Sequence, residues 1–135
     1  MVIICTLLNT LGKIDGRTKL QKLFFLLDNK INLDLEYEKS FYGPFSNKLS
    51  NIVELMIRDG TIKEDIGSSP YGRKYLYEIT PKGKNFLADS KSVIAEEEEA
   101  IKKEIEALSD FNKMNLDDLI LYIYKTYPKF ARNTN

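Results

Sequence analysis

At 135 residues, with 43% hydrophobic and 30% charged side chains, the chain can bury one sizeable core and is not expected to be disordered as its main state. Twenty Lys and Arg balance twenty Asp and Glu, so the net charge is zero and any basic face must come from arrangement rather than excess. With no histidine and one cysteine, the commonest general base, a structural zinc site and an internal disulfide are all excluded; no cofactor and a cytoplasmic setting are expected.

The apolar stretch from Val2 to Leu8 has no basic region before it, and Asn9, Thr10 and Gly12 interrupt it. It is too short to span a bilayer and reads as a buried first helix, Val2 to Leu11, stopped by Gly12. Cys5 lies among apolar neighbours, as an inert buried thiol does. A second helix follows, with Asp15 as its expected N-cap and Leu20, Leu23, Phe24 and Leu27 as its core stripe. Arg17, Lys19 and Lys22 lie outside that stripe and form a basic cluster at the helix start. Cations oppose the dipole there, which points to a phosphate or acidic partner; plain surface lysines are the alternative.

A short strand is expected from Tyr37 to Tyr42, broken by Gly43-Pro44. Ser46 then caps a third helix with Leu49, Ile52, Val53, Met56 and Ile57 facing inward, ended by Gly60. Two runs, Thr61 to Ile66 and Arg73 to Ile79, flank a polar segment and read as a hairpin with a flexible tip. Thr80 and Pro81 suit the start of a fourth helix. The stretch from Val93 to Leu108 carries Glu96 to Glu99 and a narrow stripe of Ile101, Ile105 and Leu108, fit for solvation or for pairing along one seam. Leu116 to Tyr127 reads as a final amphipathic helix with Leu119, Ile120, Ile123 and Tyr124 on one face, ended by Pro128.

This order predicts an α+β, mainly helical fold: a winged helix-turn-helix over residues 1–90, with additional C-terminal helices over 91–135 for packing or dimerisation. In such a fold the helix before the hairpin enters the major groove and the wing touches the flanking backbone. The residues suited to reading double-stranded DNA are Asn47, Lys48, Asn51 and Arg58 on the helix, with Tyr71, Arg73 and Lys74 on the wing. Glu54 on the same helix face opposes phosphate. No Gly-rich phosphate loop, Ser/His/Asp set or metal-ligand spacing is present, so an enzyme is not expected.

Four segments, in order, carry a family resemblance. They are Gly16-Arg17-Thr18-Lys19-Leu20-Gln21-Lys22-Leu23, Tyr42-Gly43-Pro44-Phe45-Ser46, Thr80-Pro81-Lys82-Gly83, and Leu121-Tyr122-Ile123-Tyr124-Lys125-Thr126-Tyr127-Pro128-Lys129-Phe130. Together they touch most of the chain, which resembles the YwgA-like proteins and the related Panacea-type antitoxin domains. The resemblance implies a winged-helix-like domain whose relatives have no settled activity or act by binding a protein. Residues 31–45, between the second and third helices, replace the tight turn of standard winged-helix regulators. Two functions are therefore expected: a DNA-binding transcriptional regulator, as a homodimer, or a protein-binding module of antitoxin or adaptor type.

Overall fold

The computed structural model describes residues 1–70, 72–90 and 95–131. Tyr71, expected at the hairpin tip, and Val93, expected to open a helix, lie outside the described residues, as do the side chains of Glu96, Glu97 and Glu98 from the acidic run. The fold is mixed α+β and mainly helical, with a small three-stranded antiparallel sheet.

Helix α1 (Val2–Leu11) buries Ile4, Cys5, Leu7 and Leu8, and ends where the Gly12 N–H donates to Leu8 O at φ 82°. Burial pushes the Cys5 thiol above its usual pKa, so the sulfur stays protonated and unreactive. Strand β1 is only Ile14–Asp15, paired with a later strand. This corrects the expected N-cap: the ladder holds Asp15 extended opposite Leu76, and Gly16, with no side chain to cap with, precedes helix α2 (Arg17–Ile31).

Helix α2 runs through the centre of the molecule. Its nine residues from Lys19 to Leu27 are all buried. At about 100° per residue, the five consecutive apolar residues Leu23 to Leu27 cover the whole circumference, so neighbours must surround this helix. Helices α5 (Ala95–Glu106), α6 (Ser109–Lys113) and α7 (Leu116–Thr126) pack on it, together with the insertion described next.

The expected strand from Tyr37 to Tyr42 becomes a second hairpin. Strand β2 (Glu38–Ser40) pairs with β3 (Gly43–Phe45), so Gly43-Pro44 joins a strand instead of breaking one. Phe41 and Tyr42 make the turn, Gly43 opens β3 opposite Ser40 at φ 95°, and Pro44 uses its carbonyl, the one backbone group a proline can bond through. Helix α3 (Asn47–Arg58) then starts as expected, with Ser46 Oγ accepting from the Leu49 N–H at 2.9 Å. Leu49, Val53 and Met56 are buried, while Ile52 and Ile57 pack at the margin of the core.

The main hairpin is longer than the sequence suggests. Strand β4 (Ile62–Ser69) pairs with β5 (Gly72–Ile79) out to Ser69 opposite Gly72, so most of the expected loop is ladder. The sheet order is β1-β5-β4. Helix α4 (Pro81–Ser90) is capped by Thr80, whose Oγ1 accepts from the Gly83 N–H. Gly83 meets the sheet so closely that a Cβ there would lie 2.5 Å from Thr61 O.

The C-terminal helices belong to the same core. Ile105, Leu108, Leu119 and Ile123 are buried together with Leu7, Leu8 and Phe24. Asn115 caps α7, and a 3-10 turn (Pro128–Phe130) follows it. The Phe25 ring meets Tyr37, Tyr127 and Phe130 edge-on at 5.2, 5.1 and 4.8 Å between centroids. Of the stripe expected to serve for packing or dimerisation, Ile105 and Leu108 pack inside this chain. Among the described residues, no helix is long and apolar enough to cross a membrane.

Candidate binding groove

Arg17 is the hub of the surface between α2, α3 and the β4–β5 hairpin. Its Nε donates to the Tyr77 hydroxyl at 2.7 Å and its Nη2 to Glu64 Oε2 at 2.9 Å. The Tyr77 hydroxyl donates in turn to the same Glu64 oxygen at 2.6 Å. Glu54 of α3 lies 3.7 Å from Nη2, and the guanidinium sits 5.0 Å above the Tyr75 ring. Tyr75 and Tyr77 share one face of β5 with their cross-strand partners Ile66 and Glu64, which is why this set converges. Burial, then the bond to Glu64, raises the Tyr77 hydroxyl above its usual pKa, so it remains a donor.

Three depressions meet at Arg17. A cleft of about 140 Å³ between α2 and α3 is lined by Leu20, Leu49, Val53 and Ile57, with Phe45 and Glu54 at hand. A second, of about 200 Å³, lies under the β2–β3 hairpin beside Thr18, Gln21, Lys22, Ser40 and Tyr42. The widest, of about 610 Å³, lies between the start of α2, the hairpin and the start of α7.

That widest groove brings together Arg17, Lys19, Arg73 and Lys74 from two sequence-predicted groups. Among the described residues, its one lining carboxylate is Asp15, 3.3 Å from Lys74 Nζ. The expected basic cluster does not survive as a cluster, because its members part company. Arg17 stays exposed. Lys19 is only 8% exposed, donates to Asn112 O at 3.0 Å, and has its pKa lowered by burial. Lys22 is only 2% exposed and points into the core, where its Nζ donates to Pro44 O at 2.9 Å. Burial lowers its pKa from 10.5 to about 8. Neither is a surface lysine, because α2 is enclosed on every side.

On α3, Asn47, Lys48, Asn51 and Arg58 are exposed, as the spacing predicts. They do not form a basic face. Lys48 is held by the insertion, donating to Asp34 O at 2.9 Å with the Asp34 carboxylate 3.7 Å away. Glu54 and an exposed Leu55 interrupt the rest. Arg73 and Lys74 are exposed on β5 near the hairpin tip.

Sequence reasoning missed Glu64, Tyr75 and Tyr77, because only strand pairing brings them to Arg17. It also missed Gln21. The Gln21 amide accepts from the Ser46 N–H and donates to Ser46 O, both at 2.9 Å, clamping the start of α3 to α2. Comparison with known proteins finds no matching family model and no matching curated protein.

Proposed function

We propose that the chain is a protein-binding module of antitoxin or adaptor type, built on a winged-helix frame and related to the YwgA-like and Panacea-type domains. The order α1, β1, α2, α3, β4, β5, with β1 completing the sheet, supports the frame. The observation that carries the function is the α3 face. At its N-terminal shoulder Lys48 is paired with Asp34 of the insertion, so the surface a DNA reader would insert presents a carboxylate beside its cation. Its remaining surface mixes Glu54 and Arg58 with Leu55, 60% exposed, and Ile66 on neighbouring β4 is 57% exposed. Apolar side chains set among charges of both signs suit a protein partner better than a phosphate backbone.

The test is co-expression with the products of adjacent genes. A stable complex is expected, lost in Leu55→Asp and Ile66→Asp while each variant keeps the parent melting temperature. Duplex DNA is the second reading, favoured by exposed Arg73 and Lys74 at the hairpin. It replaces the first if no complex forms and if duplex binding, falling steeply with salt, is abolished by Lys48→Glu and Arg73→Glu.

A further inference from the structure

Strand β5 is longer than the strand that covers its outer edge. β1 supplies only Ile14 and Asp15, opposite Tyr77 and Leu76. One further bond, from the Gly16 N–H to Tyr75 O at 2.7 Å, closes the pairing. Gly16, at φ 102°, then turns the chain away into α2. From Gly72 to Lys74, β5 has no strand on this side among the described residues. Backbone groups alternate between the two edges of a strand, so the bond at Tyr75 places the amide and carbonyl of Arg73 on the same uncovered edge.

That edge lies in the widest groove, whose sides are Asp15 to Lys19 and Asn115-Leu116. Arg17, Arg73 and Lys74 face it, with buried Lys19 behind them, and among the described residues its lining holds one carboxylate, Asp15. The side chains of Arg17 and Lys74 are 56% and 46% exposed in their present ion pairs. The Lys74–Asp15 pair is exposed on both sides and worth little, so an incoming carboxylate can replace it. Glu64 beneath Arg17 is only 13% exposed, so Arg17 keeps that bond and offers an incoming carboxylate its remaining outward N–H groups. Basic side chains along an open edge deter a second basic edge and attract an acidic one.

We propose that the groove takes an extended acidic segment of a protein partner, which pairs with β5 at Arg73, antiparallel to β5 and in line with β1. Its carboxylates meet Arg17, Arg73 and Lys74. The free amide and carbonyl in the groove favour a polypeptide over a nucleic acid, because only a polypeptide returns both hydrogen bonds. This proposal rests on the protein-binding reading and assigns it a partner chemistry.

The experiment is a selection of phage-displayed random peptides on the full chain, with poly-dT assayed in parallel. Enriched peptides should be acidic with strand-forming alternation, and should bind less tightly as salt rises. Arg73→Pro, which removes the edge amide at a position whose N–H is not needed by β4, should weaken them at least about tenfold. The double variant Arg73→Glu/Lys74→Glu should do the same through charge alone. No enrichment, enrichment of neutral or basic peptides, or binding indifferent to both variants overturns the proposal. Binding of poly-dT that both variants abolish, without peptide enrichment, overturns it in favour of a phosphate ligand. A gene-neighbour complex that survives Arg73→Pro and the double variant removes this groove and leaves the protein-binding reading standing. Peptide binding retained in Leu55→Asp, with the neighbour complex lost, separates the two surfaces.

Discussion

Arg17 and Lys22 lie on one helix, and the fold gives them opposite surroundings. Arg17 ends in solvent among the Glu64 and Glu54 carboxylates, with the Tyr77 hydroxyl beneath it. Lys22 ends in the core, and the partner of its ammonium is the Pro44 carbonyl. A cation anchored below by Glu64 and open above can exchange its loose, exposed Glu54 contact for a partner's carboxylate at small cost. A cation tied to a carbonyl in the interior has nothing to trade; it pins the β2–β3 hairpin to α2 and bears a desolvation cost for doing so. The start of α2 is thus available for recognition, and its middle is committed to architecture.

The comparison breaks most visibly at its inner end. Phe25→Ala removes a ring enclosed by three aromatic neighbours and should cost about 3–5 kcal/mol in denaturant unfolding. A loss below about 1 kcal/mol would mean that α2 is not enclosed as described.

Next comes the pH dependence of stability. The Lys22 pKa is about 8 in the folded chain against 10.5 when exposed, so the unfolded state binds more protons between those values. Stability should therefore rise with pH from about 8 toward 10, by up to about 3 kcal/mol in total for this group. Buried Tyr37 and Tyr77 act the other way: their raised pKa values make stability fall as pH climbs past the ordinary tyrosine value near 10. Lys22→Met should flatten the rise between about pH 8 and 10 in urea titrations. A slope unchanged in Lys22→Met assigns it to another group.

Gln21→Leu should cost about 1–3 kcal/mol, because it leaves the buried Ser46 N–H without its acceptor. An amide-exchange measurement should find the start of α3 opening more readily than its C-terminal turn. The smallest effect on stability is expected at the outer end. Arg17→Ala should cost about 1 kcal/mol, because largely buried Glu64 keeps the Tyr77 hydroxyl as a donor, while removing binding of acidic peptides. If Arg17→Ala instead destabilises the chain as much as Gln21→Leu, the contrast between the two ends of α2 disappears.

Much of the fold was legible where a signal is local. Ser46 capping, the α3 stripe, the β4–β5 pairing and the Thr80-Pro81 start are each read from a few adjacent residues. Asp15 misled because its extended conformation depends on Leu76, far along the chain. The burial of Lys19 and Lys22 was signalled by the unbroken run Leu23 to Leu27, which leaves α2 no solvent face to put a lysine on. Reading only Leu20, Leu23, Phe24 and Leu27 as the stripe hid that consequence. The site was less legible than the fold. Arg17, Arg73 and Lys74 stand out as basic residues, but Glu64, Tyr75 and Tyr77 look like ordinary strand residues until the register is known. The open edge of β5 depends on how early β1 ends, and no residue of β5 itself announces it.

The enclosure of Phe25 also bears on how the chain matures as it is made. The ring is finished by Tyr127 and Phe130, and α1 packs on α4 and α5. During synthesis, the apolar run Leu23 to Leu27 therefore leaves the ribosome long before the residues that cover it. Contacts so distant in sequence slow folding, and the exposed run is a ready chaperone substrate in the interval. A nascent chain stalled before Tyr127 should remain open to protease across α2, and release of a chain extending past Phe130 should close it.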